Sequence, residues 1–181
     1  MTTSPISQLD AFSLAQLSER PGAKWNFFPK DVLPCWVAEM DFPLSGAVKD
    51  AIKAQVDKDH LGYLMAEGLP GVREAVVARL ASRYGLNVDA EDVSLLSTTG
   101  SGIHLSVRAF TDPGDEVLLL TPLYPPFKAA VEAAGRVPVE VELINGEDGY
   151  TIDFAAMERA VTDKTSMLML CSPHNPVGRV F

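Results

Sequence analysis

The sequence predicts an α/β domain with a mostly parallel sheet and flanking helices. Three observations carry that prediction. Apolar runs of the buried-strand type recur at Glu116–Leu120, Val137–Leu143 and Ser166–Cys171. Stretches with helical periodicity separate them, which is the alternation that βαβ units produce. The first and last of these runs empty into loops rich in Pro, Ser and Thr, where ligands sit in open α/β sheets.

The elements follow in order. The first 34 residues are weakly patterned and broken at Pro21-Gly22 and Phe28-Pro29, so they read as an arm. From Ser45, the residues Val48, Ala51, Ile52 and Val56 share one helical face. A second helix begins near Pro70, carries Val72, Val76, Leu80 and Tyr84, and stops at Gly85. Asp92–Ser97 is a short strand candidate, and a helix is expected from Ser101 to Phe110. After the turn at Asp112-Pro113-Gly114-Asp115, Glu116–Leu120 is apolar enough for a strand buried on both faces. Pro125–Ala134 is helical with Phe127, Val131 and Ala134 inward, and Val137–Leu143 is the next strand. Asn145–Gly149 makes a turn, and Asp153 caps a helix facing inward with Phe154, Met157 and Val161. Ser166–Cys171 is the last strand. The domain boundary is expected at 44/45, with the arm and part of a small domain before it and a partial large domain after it.

Composition narrows the function. The chain has 181 residues, 47% of them apolar, and a net charge of -9. That length suits about one domain and a core that needs no disulfide or metal staple. An acidic balance gives no reason to expect nucleic-acid or anionic-membrane binding. Cys35 and Cys171 stand far apart in apolar runs, so buried, reduced thiols are expected, with no metal site. The N-terminus lacks a signal-peptide pattern, and no apolar run approaches the ~20 residues of a membrane span. A soluble, cytoplasmic protein is expected. Phe181 directly follows a strand-end loop, so the chain is expected to be truncated.

Three loops could carry chemistry. Thr99-Gly100-Ser101-Gly102 joins a strand candidate to a helix start, where small residues and free amides suit an anion. It is neither GxGxxG nor a Walker loop, and alone it is no more than a Gly-rich turn. Thr121-Pro122-Leu123-Tyr124-Pro125-Pro126-Phe127 holds a Tyr that could stack on a flat ring or simply pack over the sheet edge. In Cys171-Ser172-Pro173-His174-Asn175-Pro176-Val177-Gly178-Arg179, two prolines restrict the backbone of Asn175, so its amide can be aimed. His174 could serve as a base, but a lone His beside Pro is more often structural or solvent-facing. His60 and His104 have no partners in sequence.

Occurring in order at successive strand ends, these loops resemble the N-terminal half of fold-type I pyridoxal-phosphate enzymes, the aminotransferase class I and II group. The stretches Lys24-Trp25, Leu33-Pro34-Cys35-Trp36-Val37-Ala38-Glu39-Met40-Asp41-Phe42, Gly62-Tyr63 and Ser172–Arg179 are most similar to the cystathionine β-lyase (PatB/MalY-type) C–S lyases. The resemblance runs from Lys24 to Phe181. It implies pyridoxal 5′-phosphate as cofactor, with Gly100, Ser101 and Gly102 holding the phosphate. It further implies that Tyr124 stacks on the pyridine ring and that Asn175 hydrogen-bonds the phenolate oxygen. Tyr63 would reach the phosphate of a neighbouring subunit, which implies a homodimer, and Val37 and Ala38 would line the substrate side. Ser172 and Val177 depart from the commoner Asn and Thr.

The resemblance also implies what is missing. The family's Schiff-base lysine, the acidic partner of the pyridine nitrogen and the arginine for the substrate carboxylate match nothing here. All seven lysines, Lys24, Lys30, Lys49, Lys53, Lys58, Lys128 and Lys164, precede Asn175. The expectation is therefore a fragment of a C–S β-lyase acting on an amino-acid thioether, inactive alone. An aminotransferase uses the same residues and remains open. A non-catalytic regulatory module on the same fold is the alternative from another class.

Overall fold

A computed structural model describes residues 11–59, 62–63, 68 and 70–181. The chain divides into two compact units, Met1–Leu64 and Met65–Phe181. No helix among the described residues is long and apolar enough to cross a membrane.

Among the described residues the first unit holds three helices: α1 (Leu14–Ser18), α2 (Ala23–Asn26) and α3 (Gly46–Val56). A capping box starts α1, in which Ser13 and Gln16 exchange hydrogen bonds. The segment read as an arm contains an ordered polar clamp. Lys24, only 9% exposed, donates from Nζ to Glu39 O at 2.6 Å and to Asp41 Oδ2 at 2.7 Å. Trp25 Nε1 donates to Asp41 Oδ1 at 2.9 Å, and Trp36 Nε1 donates to Lys24 O at 3.3 Å. The expected apolar face of α3 exists, but Val48, Ile52 and Val56 are all exposed. Periodicity identifies the stripe and cannot say whether anything covers it.

The clamp makes a pH prediction. Hydrogen bonds from Lys24 and then Trp25 hold the Asp41 carboxyl below its ordinary value of 3.8, and the Lys24 and Arg20 charges act in the same direction. A carboxyl with a lowered folded-state pKa contributes stability that is present above its unfolded value. That stability is lost as pH falls through the folded value. The only two tryptophans, Trp25 and Trp36, both belong to the clamp. Their fluorescence is therefore expected to stay flat on acidification to about pH 4 and to change only below it. In Asp41→Asn that acid transition disappears. A midpoint above 3.8 assigned to Asp41 would contradict the clamp.

The second unit contains α4 (Val72–Tyr84), a 3₁₀ turn (Ala90–Asp92), α5 (Thr99–Phe110), β1 (Glu116–Thr121) and α6 (Pro126–Ala133). It continues with β2 (Val137–Glu142), β3 (Ile144–Gly146), β4 (Gly149–Thr151), α7 (Phe154–Ala160) and β5 (Thr165–Met169). Gly85 ends α4 in the left-handed conformation at φ 66°, where a side chain would be strained. The main sheet has the order β2-β1-β5, and both pairings are parallel. Glu116 pairs with Val137 and Thr121 with Glu142. Because β1 is central, Val117, Leu118, Leu119 and Leu120 are all buried.

Side chains from β1 enter two cores. On one face Val117 and Leu119 meet Val107 of α5 and Val131 and Ala134 beside α6. On the other, Leu118 and Leu120 join Val141 and Leu143, covered by Tyr150, Ile152 and the Ala156, Met157 and Ala160 face of α7. The sheet is thus covered on both faces, as a parallel sheet requires.

The turn expected within Asn145–Gly149 is present at Glu147-Asp148 and closes a hairpin in which Gly146 pairs with Gly149. Three expectations need correction. Asp92–Ser97 is no strand: it begins in the 3₁₀ turn, and no strand among the described residues pairs with it. Asp153 does cap α7, accepting from Ala156 N at 2.8 Å, but Phe154 and Val161 are exposed, and only Met157 of the expected trio packs inward. The small residues Ala156 and Ala160 let the helix approach the sheet, a signal weaker in sequence than a large apolar stripe. Finally, Cys35 is exposed and Cys171 is half-buried. Neighbouring Pro34 takes the buried position, and Trp36 turns toward Lys24 O.

Candidate functional site

The three loops singled out by sequence all lie in the second unit. The helix α5 begins two residues earlier than expected because Thr98 caps it: Thr98 Oγ1 accepts from Ser101 N at 3.1 Å. Ser101 Oγ lies 3.0 Å from Thr98 Oγ1 and 3.3 Å from Ser97 Oγ, so three hydroxyls cluster at the helix start. Thr98 and Ser97 were missed, although a Thr ahead of a helical pattern is the standard N-cap signal.

Gly100, Ser101 and Gly102 are half-buried at this end. Neither glycine has positive φ, so backbone conformation does not demand them. A Cβ on Gly100 would meet only Thr98 Oγ1, at 3.6 Å, which leaves the space above it open to a ligand. A Cβ on Gly102 would come within 3.2 Å of Leu96 Cδ1. The first turn carries no acidic residue. Hydroxyl donors, first-turn amides lacking helical acceptors and the positive end of the helix dipole together fit a phosphate ester.

Tyr124 lies at the carboxyl end of β1, exposed, just before α6. It borders a cleft of about 290 Å³ with Thr121, Lys128 and Glu140. Lys128 Nζ bonds Glu140 Oε1 at 2.5 Å, and that hydrogen bond raises the lysine's pKa. The ammonium is thus tied to the Glu140 carboxylate.

Asn175 lies in the loop after β5, its side chain exposed. Its backbone N donates to Cys171 Sγ at 3.4 Å, and the loop closes through His174 N to Arg179 O and Gly178 N to His174 O, both 2.7 Å. His174 is fully buried, and both ring nitrogens face backbone carbonyls, so the structural reading of this histidine holds. His104 is exposed, and His60 lies outside the described residues.

Val37 and Ala38 belong to the first unit and are exposed on the segment that the Lys24 clamp secures; Glu39 N also bonds Val37 O at 2.9 Å. Tyr63, in the same unit, is fully exposed. Among the described residues, no group of His, Cys, Asp and Glu side chains could hold a metal ion.

Comparison with known proteins gives this arrangement a context. Residues 35–181 match the family described as aminotransferase class I and II. Cystathionine beta-lyase of Corynebacterium glutamicum is 33% identical over 168 residues, covering 93% of this chain and 44% of that protein. Aspartate aminotransferase of Sulfolobus acidocaldarius is 31% identical over 146 residues, covering 80% of this chain and 36% of its own. Cystalysin from Treponema denticola, whose crystal structure contains a pyridoxal 5′-phosphate cofactor, superposes with a TM-score of 0.84 at 29% identity. That match covers 96% of this chain and 45% of cystalysin. The chain thus spans less than half the length of each of these proteins. With the family matched over most of its residues and the fold shared, the chain belongs to the aminotransferase class I and II family.

Proposed function

We propose that the chain forms the phosphate-binding and ring-binding part of a pyridoxal-phosphate-dependent C–S β-lyase. The observation that carries this is the Thr98-capped start of α5, where three hydroxyls and a bare Gly100 face leave room for a phosphate. The lyase reading is supported by the likeness to cystathionine beta-lyase over 93% of the chain.

Each residue then has a task. The first-turn amides and the Ser101 hydroxyl would hold the phosphate. Tyr124 would lie against the pyridine ring, and the Asn175 amide would donate to the phenolate oxygen. Bound there, the cofactor supplies an electron sink that lets the substrate's α-proton leave. The net reaction breaks a Cβ–S bond, consumes one water and yields thiol, pyruvate and ammonia. Val37 and Ala38 would give an apolar lining beside the substrate, and the exposed Tyr63 would reach the phosphate of a second subunit in a homodimer. The 181-residue polypeptide by itself is expected to show no turnover. Lys128, the lysine beside Tyr124, is tied up by Glu140, and no lysine of the chain matches the family's Schiff-base position.

The likeness to an aspartate aminotransferase supports a second reading on the same residues. Product analysis separates the two. The protein purified from its source, given cystathionine and pyridoxal phosphate, is expected to release thiol and pyruvate without any keto-acid acceptor. Product formation that depends on a keto acid would identify a transferase, and no turnover under either condition in a protein that includes the Schiff-base lysine would overturn both readings.

A further inference from the structure

The loop after β5 contains one buried residue that the cofactor reading leaves unused. Ser172, Pro173, Asn175 and Pro176 are exposed, yet His174 between them has no accessible surface. Its ring packs edge-on against Phe181 at 5.6 Å between centroids. Nδ1 lies 3.1 Å from Cys171 O, three residues back in the same loop. Nε2 lies 2.8 Å from Pro122 O, which is 52 residues away in sequence, in the loop that carries Tyr124.

A carbonyl oxygen only accepts, so either contact is a hydrogen bond only where that ring nitrogen carries the hydrogen, and a neutral imidazole carries one. The Nδ1 contact is local and adds little order to a loop already closed by two backbone bonds. The Nε2 contact crosses between loops. In the Tyr124 loop, Thr121 O already accepts from Leu143 N, and Tyr124 O from Phe127 N. Pro122 itself has no N–H to donate, so its carbonyl is its one main-chain hydrogen-bonding group.

We propose that His174 is a positioning residue whose Nε2–H, donated to Pro122 O, fixes the Tyr124 loop against the Asn175 loop. Tyr124 is two residues from one end of this tie and Asn175 one residue from the other. The tie therefore sets the spacing between the two side chains assigned to the cofactor ring and its phenolate oxygen, and it rests on that assignment for its functional meaning. With both nitrogens facing acceptors inside a buried site, His174 is not a general base.

Two substitutions separate the contacts. A glutamine amide reaches the place of Nε2 and an asparagine amide the place of Nδ1. His174→Gln is expected to keep the tie, and His174→Asn to break it. Hydrogen exchange in the chain reads this without cofactor. The amides of Phe127 and Ala129, bonded to Tyr124 O and Pro125 O, should exchange about tenfold faster in the Asn variant and near the wild-type rate in the Gln variant. Pyridoxal phosphate affinity should fall about tenfold in the Asn variant only. In the unmodified chain, long-range proton–nitrogen spectra should show Nε2 of His174 carrying hydrogen, a readout that needs no variant to fold. Equal exchange in the two variants, or an unprotonated Nε2, overturns the proposal. If neither variant nor wild type binds pyridoxal phosphate while the exchange contrast persists, the tie stands and the cofactor assignment falls.

Discussion

Leu119→Ala is expected to destabilise the second unit by about 3 kcal/mol, within the range that buried leucine truncations span. Leu119 has no accessible surface and sits on the central strand, with Val107, Val117, Val131 and Ala134 around it. Those neighbours come from α5, β1 and the end of α6, held by three separate segments, so the space left by three removed heavy atoms cannot close cheaply. Leu168 on β5 gives the control, because it is half exposed on the sheet's last strand. Leu168→Ala should cost about 0.5 kcal/mol. Urea unfolding followed by circular dichroism measures both. Similar losses at the two positions would mean that β1 is not the core of this unit.

Replacing Arg136 is expected to cost about as much, through lost hydrogen bonds rather than a cavity. Its guanidinium donates from Nε to Thr111 Oγ1 at 2.8 Å, and further to Thr111 O and Ala134 O. Thr111 ends α5 and Ala134 ends α6, so one cation satisfies carbonyls at two helix C-termini, where the dipoles favour positive charge. Thr111 Oγ1 passes the chain on, donating to Val107 O at 2.5 Å. Three charge-assisted bonds, two of them to main-chain carbonyls, put Arg136→Met near 3 kcal/mol. In a chain of this size that lowers the melting temperature by roughly 2–4 °C per kcal/mol. Arg136→Lys should recover little, since a single ammonium cannot span the fork. Full rescue by Lys would show that charge alone matters.

How far these features could be read from sequence depends on the range of the interaction. β1 was legible because a central parallel strand must be apolar on both faces, and Glu116–Leu120 shows an unbroken run after its first residue. The N-cap at Asp153 was legible because its partner, Ala156 N, is three residues away. The three loops were legible as candidates for the same reason: Gly, Pro and hydroxyl residues mark turns and element ends locally. Asp92–Ser97 looks like a strand, but strand identity needs a neighbour, and composition cannot supply one. Lys24 was noted only as part of a motif, because its partner Asp41 is 17 residues distant and a lone Lys reads as surface. His174 could not be separated from a solvent-facing histidine, since its decisive contact is 52 residues away. The resemblance to pyridoxal-phosphate enzymes ranked the site residues, and the fold then placed Gly100–Gly102 in the first turn of α5 and Tyr124 and Asn175 in loops of the same unit.

The central claim is that this unit recognises a phosphorylated pyridoxal through the start of α5. Equilibrium dialysis of the chain against pyridoxal 5′-phosphate and against unphosphorylated pyridoxal tests it most directly. The account predicts that the phosphorylated form binds at least about tenfold more tightly, and that Ser101→Ala, which removes one hydroxyl donor, erodes that preference. Equal affinity for the two forms, or a preference untouched by Ser101→Ala, would contradict it.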